Sequence, residues 1–204
     1  MIRILIAEDH LIARVGVKTI LNAQPGIQVV AEAADGAQAM EMYRQHRPDV
    51  TLMDMRMPGT DGLAAIMAIR KESPDARIIA LSTYGGDQDI RRAIDAGAAA
   101  YLTKDVLHDE LIQAIYAVHR GGTYLPAQIA VALEAASLSA ALSGRELEVL
   151  SLIVHGHGNK QIAYALGIAE HTVKNHVKSI LSKLGVEDRT QAATAAIQRG
   201  IVHL

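Results

Sequence analysis

Asp49-Val-Thr-Leu-Met-Asp54-Met-Arg-Met-Pro58-Gly59 is a short apolar run that ends abruptly in a carboxylate and then in turn chemistry. Runs of this length and bounding read as buried strands of a parallel sheet, and in doubly wound α/β folds ligands bind just beyond the carboxyl ends of such strands. The stretch therefore delivers Asp54 to the mouth of a site. Two further runs end in the same manner, Ile2-Arg-Ile-Leu-Ile-Ala7 leading into Glu8-Asp9 and Arg77-Ile-Ile-Ala-Leu81 leading into Ser82-Thr83. A fourth, Ala98-Ala-Ala-Tyr101-Leu-Thr, ends in Lys104.

Around these runs, apolar strands alternate with amphipathic segments, the sign of βαβ units and a parallel sheet. Strands are expected near 2–7, 27–32, 49–54, 77–82 and 99–103, and helices near 11–23, 37–46, 62–72, 87–96 and 107–119. Breakers stand between them: Pro25-Gly26, Asp35-Gly36, Pro48, Pro58-Gly59 and Pro74. The fourth helix turns a small face inward, Ile90, Ala93, Ile94 and Gly97, and is weakly anchored for that reason.

The strand ends gather three carboxylates (Glu8, Asp9, Asp54), a hydroxyl and an ammonium on one rim. Like charges this close repel unless a cation joins them, and hard oxygen ligands with open positions suit Mg²⁺, which keeps several waters and accepts phosphate oxygens. Asp54 is then a nucleophile toward a phosphoryl group, with the metal and Lys104 neutralising charge in the transferring phosphate. A simpler account of the same residues is that Glu8 and Asp9 cap the helix beginning near His10 while Lys104 only pairs with Asp54.

The set Glu8-Asp9, Asp54 followed by Met57-Pro58-Gly59 and Asp61-Gly62, Ser82-Thr83, and Ala96-Gly97-Ala98 with Tyr101 and Lys104 resembles the receiver domain of two-component response regulators, over about residues 1 to 120. The resemblance implies a flavodoxin-like, five-stranded parallel sheet of order 2-1-3-4-5 and phosphate transfer to Asp54 from a histidine kinase. It also implies Mg²⁺ held by Asp9, Asp54 and a backbone carbonyl near Arg56, with Glu8 helping through water. Ser82, rather than Thr83, falls at the family's switch-hydroxyl position, and Tyr101 matches the aromatic that turns inward on activation. Lys104 is followed by Asp105 instead of the proline of many receivers, a pairing frequent in the NarL/FixJ-type subfamily.

Two hundred and four residues suit two domains of roughly 60 to 130 residues each. The formal charge of −2 hides an asymmetry: residues 1–142 carry 13 Lys and Arg against 17 Asp and Glu, whereas residues 143–204 carry 7 against 5. An acidic front fits a cation site, and a mildly basic back permits contact with nucleic acid. With no cysteine there is neither a disulfide framework nor a thiolate metal site. No apolar run reaches the roughly 18 residues of a membrane span and the start lacks a signal-peptide pattern, so a soluble cytoplasmic protein is expected.

Gly121-Gly122 ends the fifth expected helix. Tyr124-Leu-Pro126 and the alanine-rich, nearly uncharged stretch 127–141 read as a linker, 121–142, that holds one helix, with Ile129, Leu133 and Ala136 at helical spacing. The second domain, 143–204, opens on Ser143-Gly-Arg-Glu146, a capping box ahead of a helix over about 144–155. Asn159 is then expected to cap a short helix from Lys160 to Leu166, stopped by Gly167, and a third helix runs from about Glu170 to Leu184. Two short helices joined by a glycine-containing turn make a helix-turn-helix, whose second helix enters a DNA major groove.

Within that third helix Val173, Val177, Ile180, Leu181 and Leu184 form one apolar stripe, leaving His171, Lys174, Asn175, Lys178 and Ser182 opposite. Lysine reaches guanine acceptors and asparagine reaches adenine, although a polar face of this kind equally suits simple solvation. Ile168-Ala-Glu170-His-Thr172-Val173-Lys174-Asn-His176-Val177, Lys183-Leu-Gly185-Val186 and Arg189-Thr190-Gln191-Ala192 resemble the LuxR-type helix-turn-helix over about 142–202. By position the resemblance implies that Lys174, Asn175 and Lys178 face the groove, that Lys160 and Thr172 contact phosphates, and that the last helix, about Thr190 to Arg199 and capped by Thr190, pairs two copies into a homodimer on double-stranded DNA. The role of His171 stays open, and the remaining histidines show no metal-ligand spacing.

Together these readings describe a phosphorylation-switched transcription regulator, an α/β receiver followed by an all-α DNA-binding domain. It is not an enzyme in the usual sense but a phosphoacceptor that can slowly dephosphorylate itself. Two rivals stand beside it: a regulator of the same fold that ignores phosphate, and a small phosphotransfer or nucleotide-binding α/β protein. Against the second, no Gly-x-Gly-x-x-Gly or P-loop follows any strand.

Overall fold

The computed structural model describes residues 1–83, 86–105, 108–126, 129–130 and 142–202. Contacts divide the chain into two compact units, Met1–Thr83 with Ile90–Ile129, and Tyr84–Asp89 with Ala130–Leu204. The helix expected across 127–141 lies outside the described residues except at Ile129 and Ala130, which are helical.

In the first unit, β1 (Ile2–Ala7), β2 (Ile27–Ala33), β3 (Val50–Asp54), β4 (Ile78–Ser82) and β5 (Ala100–Thr103) form a wholly parallel sheet of order β2-β1-β3-β4-β5. Every residue of β3 and β4 is buried, as a strand covered on both faces must be. Around the sheet run α1 (Leu11–Asn22), α2 (Gly36–His46), α3 (Gly62–Glu72), α4 (Asp87–Asp95) and α5 (His108–His119). Asp35 and Asp61 cap α2 and α3 by accepting from Gln38 N and Ala64 N. The core joins Ile4, Ile6, Val50, Leu52, Ile79, Leu81 and Leu102 of the strands to Leu111, Ile115 and Val118 of α5. Sheet order 2-1-3-4-5 reverses direction between β1 and β3, and it is the carboxyl ends of those two strands that hold Glu8, Asp9 and Asp54.

The second unit carries α6 (Gly144–Val154), α7 (Asn159–Leu166), α8 (Glu170–Leu184) and α9 (Arg189–Gln198) around Val149, Leu150, Ile153, Ile162, Val173, Ile180, Ala192 and Ala196. The expected capping box is present, Ser143 Oγ accepting from Glu146 N and Glu146 Oε2 from Ser143 N. Two caps differ from expectation. The N-cap of α7 is Gly158, with Gln161 Oε1 accepting its amide at 2.7 Å, and Asn159 is the first helical residue. The N-cap of α9 is Asp188, whose carboxylate accepts from Gln191 N at 2.8 Å, so Thr190 lies inside the helix. In both places a residue one or two positions upstream has the extended backbone that lets the chain enter the helix. Gly167 and Gly185, at φ of 64° and 69°, end α7 and α8 in the left-handed conformation that glycine adopts without strain.

Candidate functional site

The parallel register aligns the carboxyl ends of β1, β3, β4 and β5, and this alignment alone brings Glu8, Asp9, Asp54, Ser82 and Lys104 to one rim. Asp54 is the last residue of β3 and is buried, as are Glu8 and Ser82. Lys104 Nζ donates to Asp54 Oδ2 at 2.8 Å and reaches Glu8 Oε2 at 2.7 Å, so one ammonium spans the ends of β1 and β3. The Arg56 amide donates to Asp54 Oδ1 at 3.0 Å, turning the chain back over the carboxylate immediately after the strand. Gly62, at the start of α3, lies so close to the Asp54 carbonyl that any Cβ there would collide with the backbone, and its amide donates to Met55 O at 3.3 Å. Glycine is thus required at 62 by space, and the close approach seats α3 directly behind the carboxylate.

The electrostatics follow from burial and pairing. Burial pushes the Asp54 carboxyl above the ordinary aspartate range, opposed by the hydrogen bonds from Lys104 and the Arg56 amide. For Lys104, burial works downward, but the hydrogen bonds to Asp54 and Glu8 outweigh it and the net shift is upward, which keeps the ammonium charged. The simpler account of Glu8 and Asp9 as helix caps does not describe the structure: the N-cap of α1 is His10, which makes no side-chain cap bond, and the Glu8 side chain accepts the His10 amide at 3.1 Å but no amide within α1. Glu8, Asp9, His10 and Asp54 present ligand atoms that all lie within 4.8 Å of one another. Two buried carboxylates and a partly exposed third, held this close, fit a hard divalent cation that retains waters on its open side. His10 belongs to this cluster and was not among the expected site residues; only its sequence adjacency to Asp9 hints at it.

Tyr101, in the middle of β5, is fully buried, as is Ile90 of α4. Tyr101 lies beside Ala80 of β4, and Lys104 N donates to Ser82 O at 2.7 Å, so β4 and β5 are tied to each other at the rim.

In the second unit the apolar stripe of α8 faces the core: Val173 and Ile180 are buried, with Val177, Leu181 and Leu184 packed against them. On the opposite face His171, Lys174, Asn175, Lys178 and Ser182 are exposed, Thr172 is half-buried, and Lys160 is exposed in the first turn of α7. Lys174 pairs loosely with Glu170 one turn back, at 3.3 Å. The periodicity did not disclose what holds α8 in place. Glu146, the glutamate of the α6 capping box, accepts from Ser179 Oγ at 2.6 Å and Lys183 Nζ at 2.7 Å. These hydrogen bonds, Lys183 and Ser179 foremost, hold its carboxyl down at about 2 against an ordinary 4.5.

Residues 4–116 match the family model of the response regulator receiver domain, and residues 140–196 match that of the bacterial regulatory proteins of the luxR family. The chain is a two-component response regulator. This response regulator is 40% identical over 211 residues to the transcriptional regulatory protein LiaR of Bacillus subtilis (strain 168), with both chains covered in full. It is 35% identical over 206 residues to the response regulator VraR of Staphylococcus aureus (strain NCTC 8325 / PS 47), across 98% of this chain and 99% of that one. Among solved structures it is similar to the response regulator ChrA of a heme-sensing two-component system (39% identity, TM-score 0.59, 98% of each chain). It is also similar to RcsB in complex with DNA (26% identity, TM-score 0.75, 97% of this chain and 98% of that one). The receiver sheet and the LuxR-type helix-turn-helix of this response regulator are both as its sequence implies. No helix among the described residues is long and apolar enough to cross a membrane.

Proposed function

We propose that Asp54 is the phosphoacceptor of this response regulator and that its phosphorylation by a histidine kinase governs binding of the helix-turn-helix to double-stranded DNA. The observation that carries the reading is the pairing of a buried carboxylate, Asp54, with a counter-cation, Lys104, at 2.8 Å inside a cluster of further acidic groups. Glu8, Asp9 and Asp54, with the backbone carbonyl of Arg56, are the groups that would hold Mg²⁺, and the ion when bound supplies charge neutralisation for the phosphoryl oxygens. The chain's own residues do the rest. An Asp54 carboxylate oxygen attacks phosphorus, the bond from phosphorus to the donor's imidazole nitrogen breaks with its electron pair leaving on that nitrogen, and an acyl phosphate forms at Asp54. Lys104 balances the charge that the phosphoryl group brings into a buried position. Ser82 and Tyr101, buried on the neighbouring strands β4 and β5, are the switch pair that carries the change toward α4.

Lys174, Asn175 and Lys178 on the exposed face of α8 are proposed to read base edges, with Lys160 and Thr172 holding phosphates, and α9 to pair two copies on a two-fold site. Support comes from the outward direction of that face and from the likeness to RcsB, of which one structure holds two dimers bound to two parallel DNAs. Such a protein works in the cytoplasm. Incubation with a small phosphodonor and Mg²⁺, read by intact mass and then by DNA affinity, tests both halves. One added phosphoryl group with a rise in affinity supports the reading, and equal affinity with and without phosphate supports the phosphate-independent rival.

A further inference from the structure

Arg14, in the first turn of α1, has a side chain only 16% exposed and takes no part in the chemistry proposed above. Its Nη1 donates to the backbone carbonyl of Glu8, and its Nε faces Glu32 Oε2 of β2 at 3.6 Å. Glu32 is held in turn by Lys18, one turn further along α1. The Glu8 amide donates to Ala33 O at 3.0 Å, so the ladder to β2 reaches that residue before the chain leaves the sheet for α1. Where the ladder stops, Arg14 reaches back to the carbonyl of the same residue. A guanidinium suits the task, because its planar fork presents different N–H groups to two acceptors in a fixed geometry.

The carbonyl of Glu8 and the amide of Asp9 share one rigid peptide plane, so a bond to that carbonyl also fixes the direction in which Asp9 leaves the strand. Glu8 and Asp9 carry the two carboxylates that β1 brings to Asp54. Mg²⁺ demands near-ideal octahedral geometry, and a turn of this peptide would carry the Asp9 carboxylate away from Asp54. We infer that Arg14, oriented by Glu32, is a positioning residue of the cation site: it touches neither ion nor phosphate and holds Glu8 and Asp9 in the arrangement that binds Mg²⁺. The inference rests on the cation site proposed above.

The test is a Mg²⁺ titration of the full chain followed in ¹H–¹⁵N spectra, where the amides of Glu8, Asp9, Asp54 and Arg56 report the rim and those of Leu52 and Ile79 report the sheet. Arg14→Met keeps the apolar stem and removes every donor. Its Mg²⁺ dissociation constant should rise by roughly 10-fold or more, the usual effect of losing a partner that orients a metal ligand, with the sheet amides unmoved. Phosphate uptake should then need more Mg²⁺ by the same factor, while its rate at saturating Mg²⁺ falls by less. Glu32→Gln leaves the bond to the Glu8 carbonyl and loosens only its anchor, so it should raise the constant by a smaller factor, and it supplies the result if Arg14→Met does not fold. A lowered melting temperature with Mg²⁺ affinity unchanged in Arg14→Met, or in Glu32→Gln where that variant alone folds, makes Arg14 a structural tie between α1 and β2. That result overturns the inference and leaves the cation site standing. Wild-type rim amides that do not respond to Mg²⁺ overturn the cation site itself.

Discussion

The Lys104 ammonium donates to Asp54 Oδ2 at 2.8 Å, across 50 positions of sequence, and holds Glu8 Oε2 at the same time. One cation therefore bridges two buried carboxylates in this structure, and with Asp9 beside them the rim still carries more carboxylates than ammonium groups, which suits a divalent cation.

Asp54→Asn should abolish phosphorylation without loss of fold. Burial raises the Asp54 pKa, so the charged form opposes folding at pH above the ordinary aspartate range, and an uncharged amide of the same shape removes that opposition. The expected result is no mass increase with a small phosphodonor and Mg²⁺, together with a melting temperature equal to or above that of the wild type. Retained phosphate at stoichiometric level refutes the assignment.

Gly62→Ala should impair phosphorylation as strongly as a change at the rim itself. An added Cβ collides with the backbone of Asp54 and Met55, so α3 or the end of β3 must move. A displacement of about 1 Å at a reacting group costs on the order of 100-fold in rate. The rate of phosphate uptake measures this, and an unchanged rate means that the rim tolerates movement of α3.

Ser82→Ala should take up phosphate at a nearly normal rate yet fail to raise DNA affinity, because Ser82 is buried at the end of β4 and is proposed to transmit the change rather than to receive the phosphate. A coupling of about 1 to 3 kcal/mol changes affinity roughly 5- to 150-fold, and this is the response the variant should lose.

Lys174→Ala should lower the ratio of specific to non-specific DNA binding, at a cost of about 1 to 3 kcal/mol on the cognate site. Part of that cost is offset by release of the 3.3 Å pair with Glu170, which competes for the same ammonium. Lys160→Ala should weaken all sequences alike and reduce the salt slope by about one unit. Affinities for a cognate and a scrambled site at several salt concentrations distinguish the two. Equal weakening of both sites by Lys174→Ala removes that residue from base reading.

Glu146→Ala should destabilise the helix-turn-helix by about 3 kcal/mol, since it removes the buried acceptor that Lys183 and Ser179 share; Lys183, still 28% exposed, can recover some hydration, which favours the low end of the range for broken buried pairs. The same carboxyl sets an acid limit. Its pKa is depressed on folding, so its stabilisation is complete above 4.5 and is lost as pH falls toward about 2. Chemical denaturation between these values should show a pH dependence that is smaller in Glu146→Gln than in the wild type by the share of this one group.

The order of the elements and the identity of the rim residues were legible in the sequence by itself, because both rest on local rules. An apolar run of strand length bounded by breakers has few alternatives, and the residue at its carboxyl end is placed by that fact alone, as with Asp54, Ser82 and Lys104. The apolar stripe of α8 follows likewise from a 3.6-residue period. What only the tertiary structure decided is which distant groups share an oxygen. Ser179 and Lys183 meet Glu146 from 33 and 37 positions away, and nothing in their own helix distinguishes them from the solvated polar residues beside them. His10 is another such case: its neighbours Glu8 and Asp9 are local, but its nearness to Asp54 exists only because the parallel register carries the ends of β1 and β3 to the same height. The caps at Gly158 and Asp188 were decided there as well, since several polar residues in a row can each cap a helix and the direction from which the chain enters selects one.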